Sequence, residues 1–124
     1  MPRGDFDDDC PARQLIVFMS DRWVPPLMYH LGTGPRRPSE LQRLMPKISQ
    51  KMLTQTLRNM EMWGLVSRKD HQTVPPVVEY GLSDRGNQFN EALELLCGWA
   101  SANEDLIMHL KKAREENVVA LDAG

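Results

Sequence analysis

Residues 49–64 constrain this chain more than any other stretch. Ser49 is a good helix N-cap, and Gly64 is the residue type that ends a helix in the left-handed conformation. The 14 residues between them make about 21 Å of helix at ~1.5 Å per residue. At about 100° per residue, Leu53, Leu57 and Met60 share one narrow arc. Lys51, Thr54, Gln55 and Arg58 lie opposite, with Met62 behind them at the C-terminal end. One face is therefore expected to be apolar. The other is read as long donors and acceptors with positive charge and no acid.

Such a face has the chemistry of a major-groove reader. Arg and Lys bond guanine, Gln pairs with adenine in two places, and Thr offers a hydroxyl and a methyl. Ser49, Gln50 and Lys51 stand at the positive end of the helix dipole, where a phosphate is favoured. An ordinary amphipathic surface helix carries the same pattern, so the flanking segments decide between the two.

A chain of 124 residues with 41% hydrophobic side chains suits one globular domain. No apolar run approaches the ~20 residues of a membrane span. The acidic start (Asp5, Asp7, Asp8, Asp9) lacks the basic-then-apolar order of a signal peptide. No membrane partner and a cytoplasmic location are expected. The net charge of −2 hides a segregation: residues 34–72 carry +5, while residues 1–33 carry −2 and residues 73–124 carry −5. A basic middle between acidic ends points to a local anionic partner. Cys10 and Cys97 form no disulfide framework, and His30, His71 and His109 share no metal-ligand spacing. Neither a metal nor a cofactor is expected.

In chain order, residues 1–9 read as a mobile acidic tail, residues 10–116 as the folded domain and residues 117–124 as a frayed tail. Cys10-Pro11 opens a short helix to about Met19, since proline fits a first turn. Ser20-Asp21 breaks it and can cap a second helix, with Pro25 and Pro26 in the first turn and Leu27, Met28 and Leu31 along its stripe. After the Gly32-Thr33-Gly34-Pro35 turn, Pro38–Leu44 reads as a third short helix, and Met45-Pro46-Lys47 links it to the helix capped by Ser49. Two helices joined by a short turn, the second basic and polar outside, make a helix-turn-helix. Leu65–Lys69 and Val77–Leu82 read as a hairpin around a polar loop. The fold class is thus mainly α with a small β-hairpin, a winged helix-turn-helix with N- and C-terminal helices for dimerisation. Ser83 is expected to cap the next helix, with Leu93, Leu96, Cys97 and Trp99 on its apolar side and Cys97 in the core. Asn103 can cap a last helix. That helical tail has more apolar surface than one domain needs, which a second copy would cover.

Cys10-Pro11, Trp23, Ser39-Glu40-Leu41, Ile48-Ser49-Gln50-Lys51-Met52-Leu53-Thr54, Gly64-Leu65-Val66, Pro75-Pro76-Val77-Val78-Glu79-Tyr80, Leu82-Ser83 and Trp99 together resemble the HxlR-type family of bacterial transcription regulators, relatives of the MarR group. The resemblance covers roughly residues 10–100. It implies a homodimer, joined through the first and C-terminal helices, on a double-stranded DNA operator with inverted half-sites. DNA-facing positions then fall on Ser49, Gln50, Lys51, Thr54, Gln55 and Arg58, with the wing around Lys69 to Thr73. Several family members sense oxidants or electrophiles through a cysteine at the start of the first helix, which matches Cys10. Three departures stand out: Val77 where the family's wings often carry Arg or Lys, Pro25-Pro26 at a helix start, and Pro38 where an aromatic is common.

From the residues themselves, Arg36, Arg37, Arg43 and Lys47 are candidate phosphate contacts, and Arg68, Lys69 and His71 can bring positive charge to the wing. The dipole and open amides of a helix start attract a thiolate at Cys10, while Asp7, Asp8 and Asp9 oppose it. The alternative role for Cys10 is a small apolar residue packed near a dimer interface. The leading function is a sequence-specific DNA-binding regulator, most often a repressor. The competing one is a winged-helix protein-interaction module, which would show apolar anchors on the outer face of the 50–63 helix. An enzyme is not expected, because no phosphate loop or paired catalytic carboxylates stand out.

Overall fold

A computed structural model describes residues 7–123, with side chains to residue 117. Of the expected tail 1–9, residues 1–6 lie outside the described residues; of the expected tail 117–124, residues 117–123 belong to the last helix and residue 124 lies outside them. The chain divides into two units, residues 1–93 and 94–124. The element order is α1 (Pro11–Met19), α2 (Val24–Leu31), α3 (Pro38–Leu44), α4 (Gln50–Met62), β1 (Val66–Asp70), β2 (Val78–Leu82), α5 (Asp84–Ala102) and α6 (Glu104–Ala123).

Each helix of the first unit begins where a side chain or a proline deals with the open amides of its first turn. Pro11 occupies the first turn of α1, behind Cys10 in extended conformation. Asp21 Oδ1 accepts from Trp23 N at 2.8 Å and Val24 N at 3.1 Å, so the acid caps α2 from just outside while Pro25 and Pro26 sit in its first turn. Pro38 opens α3, and the Glu40 carboxylate reaches back to Arg37 N at 3.1 Å. In α4, Ser49 Oγ accepts from Met52 N at 3.0 Å.

The end of α4 is a Schellman motif. Gly64 takes φ +80°, Leu65 N donates to Met60 O at 2.9 Å, and Gly64 N donates to Glu61 O at 3.0 Å. Leu65 and Met60, the apolar pair expected around such a motif, are both buried. Leu53, Leu57 and Met60 join Val24, Leu27, Met28 and Leu31 of α2 and Leu41 of α3 in one core, closed by Ile48, Val66, Tyr80 and Leu93. Thr56 lies inside it, its hydroxyl donating to Met52 O at 2.7 Å.

β1 and β2 pair antiparallel with Val66 opposite Leu82, Arg68 opposite Tyr80 and Lys69 opposite Glu79. Arg36 joins the two-stranded sheet by one isolated bridge: its amide donates to Tyr80 O at 2.9 Å and its carbonyl accepts from Tyr80 N at 2.8 Å. The architecture is a mainly helical winged helix-turn-helix. A tight corner follows the hairpin. Ser83 Oγ donates to Gly64 O and accepts from Gly86 N at 3.0 Å, tying the end of α4 to the start of α5. A Cβ at Gly86 would lie 1.9 Å from Leu65 O, so only glycine allows this approach. Phe18 of α1 sets its ring edge against Trp63 at 5.4 Å and Phe89 at 6.5 Å.

Two expectations for the later helices need correction. Asn103 breaks the helical run, but its side chain donates backward to Trp99 O at 2.8 Å, closing α5 rather than capping α6. Cys97 is exposed rather than core, as are Leu95, Leu96 and Trp99 around it. The helical stripe exists, yet a single copy of the chain does not cover it.

Candidate nucleic-acid interface

Because α4 turns Leu53, Leu57 and Met60 inward, its period forces the opposite side chains into solvent. Lys51, Thr54, Gln55 and Arg58 are exposed. Together with Gln50, Asn59 and Met62 they line one open depression along the helix. A second groove lies between α3 and α4, where Ser39, Gln42 and Arg43 face Ser49, Gln50 and Thr54. A third runs between α4 and the hairpin, with Thr54, Arg58 and Glu61 opposite Arg68, Val78 and Tyr80. Thr54 borders all three, so they form one continuous polar relief centred on α4.

Among the described residues, no ion pair engages Lys51 or Arg58, whereas Arg37 lies 3.9 Å from the carboxylate of Glu40. Two unneutralised cations on a convex helix suit an outside polyanion better than an internal role. Ser49 keeps its hydroxyl hydrogen available while its oxygen caps the helix. Lys47 and Arg37 are exposed beside the α3–α4 groove, in positions suited to phosphates.

Other expected contacts are placed differently. Arg36 is half-buried; its Nη2 donates to Thr33 Oγ1 at 2.9 Å and its backbone is paired with Tyr80. His71 is half-buried, with Nε2 against Glu79 Oε1. Successive strand residues face opposite ways, so with Arg68 and Tyr80 lining the groove beside α4, Lys69 and Glu79 point to the other side of the hairpin. Arg68 is thus the hairpin cation that lines a groove beside α4. The outer face is not free of acid either, since Glu61 borders the same groove as Arg58. Asn59 was missed as a lining residue, although it stands one turn beyond Gln55 and the helical spacing carries that signal.

The family profile of HxlR-like helix-turn-helix proteins matches residues 18–108, from the end of α1 into α6. The chain belongs to that family. As an HxlR-type protein it is a helix-turn-helix transcriptional regulator. Among its relatives is the HTH-type transcriptional regulator YkvN of Bacillus subtilis (strain 168), 49% identical over 78 residues that cover 63% of this chain and 66% of that one. The regulator YdeP of the same organism is 35% identical over 112 residues, covering 90% of this chain and 88% of that one. Among solved structures, the redox regulator HypR in its reduced form superposes with a TM-score of 0.74 at 33% identity, covering 79% of this chain and 97% of that chain. No helix among the described residues of this HxlR-type chain is long and apolar enough to cross a membrane.

Proposed function

We propose that this HxlR-type chain binds a double-stranded operator in the cytoplasm as a homodimer, each subunit reading one of two inverted half-sites, and represses by occupying the site. The observation that carries this reading is the exposed face of α4, bordered on both flanks by polar grooves that hold Arg43 and Arg68. Gln50, Lys51, Thr54, Gln55 and Arg58 read base edges; Arg37, Arg43, Lys47 and Arg68 meet phosphates. The depression along the outer face of α4 is lined by one apolar side chain, Met62, with Met52 the other exposed apolar residue of the helix, where a protein-docking helix would show several in a row. The half-exposed Leu96, Trp99, Met108 and Leu110 support dimerisation through the C-terminal helices.

The same proposal assigns an oxidant response to Cys10. HypR is named a redox regulator, and Cys10 stands immediately before Pro11 at the N-terminus of α1. Because Cys10 is 2% exposed, the start of α1 has to open before the thiol reacts. Selection of bound duplexes from a random pool, with and without a thiol oxidant, tests both parts. An inverted repeat recovered only under reducing conditions is the expected result. Recovery of no common sequence removes the operator, and an oxidant-independent outcome removes the role of Cys10.

A further inference from the structure

The Pro-Pro-Val-Val-Glu-Tyr run holds one residue that DNA reading leaves unused. Glu79 lies opposite Lys69 across the hairpin, and its Oε1 meets Nε2 of His71 on the same side. Both side chains of that pair are 30% exposed. His71 also closes the loop at its base, its amide donating to Val77 O at 3.0 Å. The other loop bonds are local: Asp70 Oδ1 accepts from Gln72 N at 2.9 Å, and Thr73 Oγ1 donates to Pro75 O at 2.9 Å. Gln72 takes φ +54°, a conformation an L residue holds only when its surroundings impose it. Among the described residues, Glu79 to His71 is the side-chain tie that joins this loop to β2. A carboxylate at the base of an element meant to approach phosphates is unfavourable for binding. Its presence makes sense if it acts on the loop and not on the nucleic acid.

We infer that Glu79 is the positioning residue of the wing: by holding His71 it fixes loop 71–77 against β2 and sets where the wing lies along a bound duplex. Lys69 stands opposite Glu79 in the register, on the side of the hairpin away from α4, which leaves Arg68, on the side of α4, as the cation the hairpin offers to DNA. The second half of the inference rests on the operator-binding reading above; the ordering of the loop does not.

The test uses the full chain and the variants Glu79→Ala, Glu79→Gln, His71→Ala and the double alanine. Without DNA, amide exchange at His71 should quicken by about tenfold or more in Glu79→Ala, as expected for a locally opened segment. It should stay close to wild type in Glu79→Gln, whose side-chain oxygen still accepts. Unchanged exchange in the alanine variant overturns the inference. On selected operator, Glu79→Ala should lose hydroxyl-radical protection in the flanks while keeping it under α4; loss of both, or of neither, overturns it too. The double variant should match either single variant, because the two groups act as one unit; additive effects count against it. A wild-type chain that selects no sequence defeats the operator reading and leaves the exchange result standing, so the two failures are told apart.

Discussion

Helices α4 and α6 carry comparable apolar residues and end in opposite situations. On α4, Leu53, Leu57 and Met60 are buried by α2, α3 and the hairpin, with Leu57 only 1% exposed. On α6, Leu106, Met108 and Leu110 remain about half exposed, Leu110 at 54%. Spacing alone does not separate the two, because a helical stripe shows that a face will be buried but not by what. The first unit completes its own core, and its α4 turns a mainly polar face to solvent, although Ile16 and Val17 of α1 and Tyr29 of α2 are exposed as well. The second exposes apolar side chains along α6, which the proposed second copy would cover symmetrically.

Substitutions on the two sides of that contrast should differ in kind as well as in size. Leu57→Ala should have the largest effect, about 2–5 kcal/mol of stability from a buried cavity, read by urea unfolding; a loss below ~1 kcal/mol would mean that α4 is not core-bound. Trp99→Ala should instead weaken self-association by about 2 kcal/mol, the scale of an aromatic hot spot, with the subunit still helical. Sedimentation that showed an unaltered dimer would place the interface elsewhere. Arg58→Ala should leave folding intact and cost about 1–3 kcal/mol of operator binding, with relaxed preference at one base position. Equal losses on every sequence would demote Arg58 to a phosphate contact. Ser49→Ala removes a cap worth about 1 kcal/mol of stability, measurable as a lowered melting temperature. Lys47→Ala should be mildest, weakening all duplexes alike and reducing the salt slope by about 0.9.

Local chemistry made much of this legible in advance. Ser49, Gly64 and the 3.6-residue spacing between them announce α4 and both of its faces, since each signal acts within a few residues. The hairpin shows through its β-branched and aromatic run. Pairings set by tertiary placement were not readable. Arg36 looks like a surface cation until Tyr80, distant in sequence, is seen to take its backbone. His71 looks like part of the wing's charge until the register brings Glu79 beside it. Glu61, by contrast, was readable, since it stands three residues after Arg58 and two turns after Thr54 on the same side of the helix. Cys97 and Asn103 were misjudged because a stripe does not name its cover, and an asparagine side chain can serve the helix behind it as well as the one ahead.

The corner at Ser83 and Gly86 sets a phase. With one hydroxyl bonded to both sides of the junction and no room for a Cβ against Leu65 O, the first turn of α5 is pinned to the end of α4. One residue inserted between Leu82 and Gly86 would turn every later position of α5 by about 100°, like a screw advanced by part of a thread. Phe89 and Leu93, which reach the core from α5, would then turn away from it. Loops elsewhere can lengthen without such a penalty; this joint works as a gauge.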